Sequence, residues 1–217
     1  MSAMVAAPGA APARAEARPS RERLETAELG MWLFLATEVL FFGGLFVAYG
    51  YGRLRSPEGW ALAARHTDVV LGTLNTAVLL TSSALVALAV AAAEHGQVRW
   101  IARLLWGTAA LGLVFLAIKG IEWHAEWNEG LFPGRGFALA RVPGAELFFV
   151  VYFLATGLHA LHLAVGVVLV ATFAVGSARR REWAGPPRLQ VAGLYWHFVD
   201  VVWIFLYPLL YLVLRHS

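Results

Sequence analysis

Five apolar stretches divide this chain, near Leu29–Tyr51, Val69–Ala93, Leu104–Glu122, Glu146–Val175 and Leu189–Leu214, and the connections between them are too short to hold a globular domain. Each stretch can supply the run of about 20 apolar residues that a helix needs to cross a hydrocarbon core. Lipid offers no partner for a backbone N–H or C=O, so a continuous apolar run of this length has to satisfy those groups within itself, as a helix. The sequence therefore predicts an all-α membrane protein whose five transmembrane helices form a bundle. The fourth stretch is longer than a crossing requires and is expected to tilt or protrude. Pro57-Glu58-Gly59, Pro133-Gly134, Pro143-Gly144 and Gly185-Pro186-Pro187 punctuate the connections.

Composition agrees with this. Hydrophobic residues make up 59% of the chain and charged residues 14%, where a soluble domain holds about 25% charged residues. The absence of cysteine excludes disulfides, thiolate-bound metal and cysteine nucleophiles. Residues 1–28 are rich in Ala, Pro, Arg and Glu, with no apolar run and no cleavage-type signal region, and are expected to form a flexible tail ahead of a membrane domain over 29–217. The net charge of +3 does not point to nucleic acid, because the arginines flank apolar spans, where they set orientation. Ten arginines fall on the side of the N-terminal tail and of the second and fourth connections (14, 18, 21, 23, 99, 103, 179, 180, 181 and 188). The other side holds six, with Lys119 at a span end. This bias predicts a cytoplasmic N-terminus and a periplasmic C-terminus.

The ionisable residues within the spans are the candidates for function, because a charge at membrane depth normally faces the bundle interior and a partner. Glu38 lies nine residues into the first span, about 14 Å deep at 1.5 Å per residue. It reads either as a protonated carboxyl that bonds a neighbouring helix or as a proton-relay or lipid-site residue. Asn75, Thr76, Thr81, Ser82 and Ser83 read as groups that cap or cross-link packed helices. Lys119 and Glu122 stand one turn apart near Trp123, His124 and Trp127. That segment reads either as an anchored helix end with an aromatic belt or as an anionic-lipid headgroup site on Lys119, Glu122, Trp123 and His124. A metal site using His124 is a weaker third reading.

Three histidines lie within spans: His159, His162 and His197. Bis-histidine haem ligation needs imidazoles converging from facing helices. His159 and His162 sit one turn apart on one helix and cannot clamp one haem, though either could do so with His197. A b-type cytochrome is thus one reading, and three separately hydrogen-bonded histidines the other. His197 and Asp200, in Tyr195-Trp196-His197-Phe198-Val199-Asp200-Val201-Val202-Trp203, share one helical face and are expected to face inward. No phosphate-cradling glycine loop, His-Glu-x-x-His or Gly-x-Ser-x-Gly motif is present. Inverted repeats that would favour a transporter are not apparent.

Five blocks, in order, resemble the cytochrome c oxidase subunit III family of the haem–copper oxidases. They are Thr37-Glu38-Val39-Leu40-Phe41-Phe42, Leu74-Asn75-Thr76-Ala77-Val78-Leu79-Leu80, Glu122 with its aromatic neighbours, Ala155-Thr156-Gly157-Leu158-His159-Ala160-Leu161-His162, and the Trp196-His197-x-x-Asp200 run. The resemblance covers about residues 29–214. It implies a non-redox subunit with no catalytic residue, metal or haem of its own, the haems and copper belonging to partner subunits. Subunit I is the main contact implied, beside other oxidase subunits, bound phospholipid and a respiratory supercomplex, in a bacterial cytoplasmic membrane. The oxidase reaction is reduction of dioxygen to water by cytochrome c or quinol, and this subunit supports proton uptake and complex stability. Glu38, His159, His162, His197 and Asp200 match the family's intramembrane polar residues. The longest family members have seven helices, and this chain begins at what would be their third, like five-helix bacterial forms. The lipid cleft that those extra helices help build could then need another subunit. Related proteins accompany nitric oxide reductases, which leaves an accessory role there as an alternative.

Overall fold

The computed structural model describes residues 12–212, with side chains from Glu25 onward apart from Glu182. Six helices account for most of it: α1 (Pro12–Arg55), α2 (Pro57–Ala64), α3 (Val69–Glu94), α4 (Val98–Asn128), α5 (Ala145–Ala178) and α6 (Pro186–Tyr207). A 3₁₀ turn at Glu182–Ala184 precedes α6 and a π turn at Pro208–Leu212 follows it. Five helical segments are long and apolar enough to cross a membrane, those of α1 and α3–α6 with the π turn, as the apolar runs predict. No strand occurs among the described residues.

Local chemistry sets several boundaries. Asp68 caps α3, its Oδ1 accepting from the N–H groups of Val70 at 2.8 Å and Leu71 at 3.0 Å. Pro57 opens α2, and Pro186 and Pro187 open α6, at first-turn positions whose missing N–H costs no helical bond. Before α5 stands Gly144 with φ +83°, where a Cβ would lie 2.5 Å from Cβ of Ser56. Only glycine meets both demands there.

Helix α1 begins at Pro12, within the segment 1–28 read as a tail; residues 1–11 lie outside the described residues. The alanines, arginines and glutamates of that segment are good helix formers, so low hydrophobicity does not by itself prevent a helix from extending past its apolar part. The first connection also holds α2, whose Trp60 is fully buried edge-on against Tyr49 and Phe148. Its eight residues are too few for hydrophobic periodicity to reveal.

The core is built by α3, α4, α5 and α6, with α3 packed on α4 and α6, and α5 on α4 and α6. Helix α1 lies at the edge against α5 and α6. Only 11% of its apolar window is buried, against 56% for the final span, so α6 is the central helix and α1 the peripheral one. Tyr49 ties α1 down by donating to the carbonyl oxygen of Leu209 at 2.5 Å.

Candidate functional site

The intramembrane polar residues separate into three groups. The first is an internal ion pair. Lys119, Glu122 and Glu126 recur on one face of α4, and that face turns into the core, where all three are buried. The Lys119 ammonium bonds Glu122 Oε2 at 3.0 Å, Tyr152 Oη at 2.8 Å and Tyr211 Oη at 2.5 Å. That uses its three donors. Both tyrosine hydroxyls then donate to Glu122 Oε1, from 2.8 Å and 2.6 Å. Helices α4, α5 and the π turn after α6 are thereby joined around one compensated charge pair. The Glu126 oxygens find no hydrogen-bond partner among the described residues.

This arrangement corrects the headgroup-site reading of Lys119, Glu122, Trp123 and His124. Lys119 and Glu122 point inward and satisfy each other, whereas His124 is exposed. Trp123 is half-buried against Phe153 and packs over Gly157. Residues 123 and 124 are rotated by about 100° and 200° from 122 around a helix of 3.6 residues per turn, so the four cannot converge on one ligand. Sequence reasoning missed Tyr152 and Tyr211. The available signal was a tyrosine inside each of two apolar runs, since a buried phenol seeks a hydrogen-bond partner.

The second group joins α1 to α5. His162 Nε2 lies 3.2 Å from Glu38 Oε2, each side chain 17% exposed. The other nitrogen, Nδ1, lies 2.8 Å from the carbonyl oxygen of Leu158. A carbonyl only accepts, so Nδ1 carries a proton. Nε2 and Glu38 Oε2 come within ion-pair distance without hydrogen-bond alignment. Glu38–His162 is therefore a close polar contact between α1 and α5 inside the membrane span. Tyr195 steadies it by donating to the His162 carbonyl at 2.9 Å, and Phe42 packs edge-on to the imidazole.

The third group joins α6 to α3. Trp196 Nε1 donates to Ser82 Oγ at 3.2 Å, and Trp203 Nε1 to Thr76 Oγ1 at 3.0 Å. Between them His197 Nδ1 bonds Ser83 Oγ at 2.8 Å. Asp200 is buried, and neither of its carboxyl oxygens has a hydrogen-bond partner among the described residues. His197 turns to Ser83 of α3, and no hydrogen bond joins it to Asp200. Ser83 was read only as a packing group, and its bond to His197 is the feature that reading lacked.

His159 stands apart from all three groups. It is buried between Phe115 and Trp203, at ring distances of 5.4 Å and 4.9 Å. Neither of its nitrogens has a hydrogen-bond partner among the described residues, which corrects the expectation of three hydrogen-bonded histidines. Aromatic rings occupy the space where partners would sit. No group of three or more metal-ligating side chains assembles among the described residues.

Residues 22–214 match the sequence profile of the family described as cytochrome c oxidase subunit III. The chain belongs to that family. Among cytochrome c oxidase subunit III sequences, that of Thermostichus vulcanus is 34% identical over 189 residues, covering 86% of this chain and 87% of the relative. The subunit of Alkalihalophilus pseudofirmus is 31% identical over 201 residues, covering 90% and 91%. A heme-copper oxidase subunit I+III of Aeropyrum pernix is 32% identical over 192 residues, which cover 84% of this chain but 22% of that longer polypeptide. The cytochrome c oxidase subunit III membership and the five spans together make this a multi-pass membrane protein of bacterial type and an accessory subunit of a haem–copper oxidase.

Proposed function

We propose that this chain serves a respiratory terminal oxidase as its non-redox subunit III, packing on subunit I and supporting proton uptake and stability during reduction of oxygen to water. The observation that carries the reading is the Aeropyrum relative, in which subunits I and III are named as one polypeptide. Fusion is compatible with function only where the two parts work side by side. Haems and copper belong, on this reading, to partner subunits, and other oxidase subunits, phospholipid and a supercomplex are further partners. The arginine bias supports a cytoplasmic N-terminus, on the side from which an oxidase takes up protons. The Glu38–His162 contact supports the proton role, because it sets a carboxyl group beside an imidazole between two helices.

The test is turnover lifetime. In the purified oxidase complex, Glu38→Gln removes the carboxylate and is expected to hasten inactivation during sustained turnover while haem content stays constant. Equal lifetimes and equal proton-to-electron ratios for variant and unsubstituted complexes would remove the proton role. Failure of the chain to co-purify with subunit I would remove the reading as a whole.

A further inference from the structure

We propose that Arg179, Arg180, Arg181 and Trp183 form a site for the anionic headgroup of a membrane phospholipid. Residues 147–178 carry no Asp, Glu, Lys or Arg, so the three arginines are the first permanently charged groups past the apolar run of α5. Over residues 179–188 the connection into α6 holds four arginines against one glutamate. A basic cluster where a span leaves the hydrocarbon meets the phosphate layer of a bilayer.

The backbone supplies a second observation. Helices α3, α4 and α5 end in the same closure, in which two successive N–H groups turn back to carbonyls of the last turn. In α3 these bonds run from Gly96 to Ala93 and from Gln97 to Ala92, and in α4 from Gly130 to Trp127 and from Leu131 to Glu126. In α5 they run from Arg180 to Ser177 and from Arg181 to Gly176, each at 3.0 Å. Glycine takes the left-handed position in the first two, at φ +68° and +71°, and Arg180 takes it in the third, at φ +50°. Among the described residues Arg180 is the one residue other than glycine with positive φ. A Cβ is disfavoured there, which makes glycine the usual occupant. Glycine would serve the turn better, so the arginine is kept at a cost to the fold. What it adds is a guanidinium beside two others.

The three arginines and Trp183 line one open pocket of about 700 Å³. The Trp183 indole is fixed against the last turns of α5. Its ring centre lies 5.5 Å from that of Phe173, and a Cβ on Gly176 would stand 2.6 Å from the indole. The tryptophan is still 38% exposed, as an interfacial anchor is. Among the described residues no ion pair engages Arg179, Arg180 or Arg181. Guanidinium groups match phosphate oxygens with paired hydrogen bonds, and the indole offers an apolar wall to the chains below the headgroup. A soluble anion would use the cations but not the tryptophan, so the pair of features selects a lipid.

The site rests on the membrane spans and not on the oxidase role, so failure to co-purify with subunit I would leave it standing. The full chain, with whatever subunits accompany it, is titrated in detergent with phosphatidylglycerol or phosphatidylcholine of matched acyl chains, and native mass spectrometry counts the lipids retained. Phosphatidylglycerol should bind in preference. Arg179→Gln and Arg181→Gln, both at exposed positions that leave the turn intact, should each cut that preference about fivefold, the attraction one arginine supplies at an anionic surface. Arg180→Gly gives the sharper result. Without added lipid its unfolding midpoint should rise, while its preference for phosphatidylglycerol falls about fivefold. A stabler protein with undiminished preference would overturn the site, since Arg180 would then be merely tolerated in its turn. An unchanged or lowered midpoint would overturn it too. So would equal retention of the two lipids by the unsubstituted protein, or loss of the preference on adding inorganic phosphate, which would assign the arginines to a soluble anion.

Discussion

Lys119 and Glu122 form a 3.0 Å ion pair one turn apart on α4, with each side chain only 2% exposed. Charges so deeply buried contribute little net stability when matched, because desolvation offsets their attraction. Their arrangement instead penalises any sequence that removes one partner alone. Lys119→Met strands the Glu122 carboxylate among tyrosines, at an expected cost of about 3–5 kcal/mol. Adding Glu122→Gln to that variant neutralises the stranded charge while keeping an acceptor for the tyrosine hydroxyls, and should restore most of the loss. Denaturation of the purified protein in detergent checks both arms. A double variant as unstable as the single one would mean that packing volume, not charge, governs the site.

Tyr211→Phe is expected to cost about 1–3 kcal/mol, the penalty for leaving buried charged groups short of a partner. The lost hydroxyl bonds both Lys119 and Glu122. Tyr207→Phe provides the contrast. Among the described residues its hydroxyl bonds Thr73 alone, at 2.6 Å in an exposed position, so its loss should be much milder. The same denaturation midpoint compares the two, and similar effects would argue that the cluster is not coupled.

How much of this was legible beforehand depends on the kind of information each feature uses. Apolar runs of membrane length are written contiguously, so all five spans and the short connections could be read directly. The i,i+3 pairing of Lys119 with Glu122 was also legible, because it lies within one helix. Which neighbour that face meets was not, since Tyr152 and Tyr211 stand 33 and 92 residues away from Lys119. The depth of Lys119 was misjudged for a related reason. Apolar residues thin out at Glu122, yet α4 continues to Asn128, leaving Lys119 nine residues short of the helix end. Ser83 was seen but not weighted, because a serine in a helix takes its meaning from what crosses it.

Gly112 on α4 faces Trp196 on α6, the residue before His197. A Cβ there would lie 2.6 Å from Cγ2 of Val167 and 3.0 Å from the Trp196 ring. Valine is β-branched and stiff, and Trp196 is held by its bond to Ser82, so neither can give way freely. Gly112→Ala should therefore overpack the α4–α5–α6 contact and destabilise by about 1–3 kcal/mol. Gly120→Ala lies on the same helix with nothing within 4 Å of its Cβ and should be neutral or stabilising. Comparing the two variants by thermal denaturation separates local crowding from any general effect of replacing a helical glycine.

Helix α1 has little buried surface, so its attachment should depend unusually on the Glu38–His162 contact at 3.2 Å. A double-mutant cycle with Glu38→Gln and His162→Gln isolates that contact from the packing each side chain contributes. Polar contacts between membrane helices commonly couple by about 0.6 kcal/mol and reach about 1.7. Two ionisable groups in contact in a site this enclosed should lie at the upper end of that range. Tyr49→Phe combined with Glu38→Gln provides the control, since Tyr49 bonds Leu209 at a separate site and the two effects should add. Protease accessibility of α1 in detergent gives a second readout, since loosening of this helix alone leaves the α3–α6 core intact. Zero coupling between Glu38 and His162, with α1 still protected in both single variants, would show that the aromatic packing of Phe42 and Tyr195, not the Glu38–His162 contact, holds the helix.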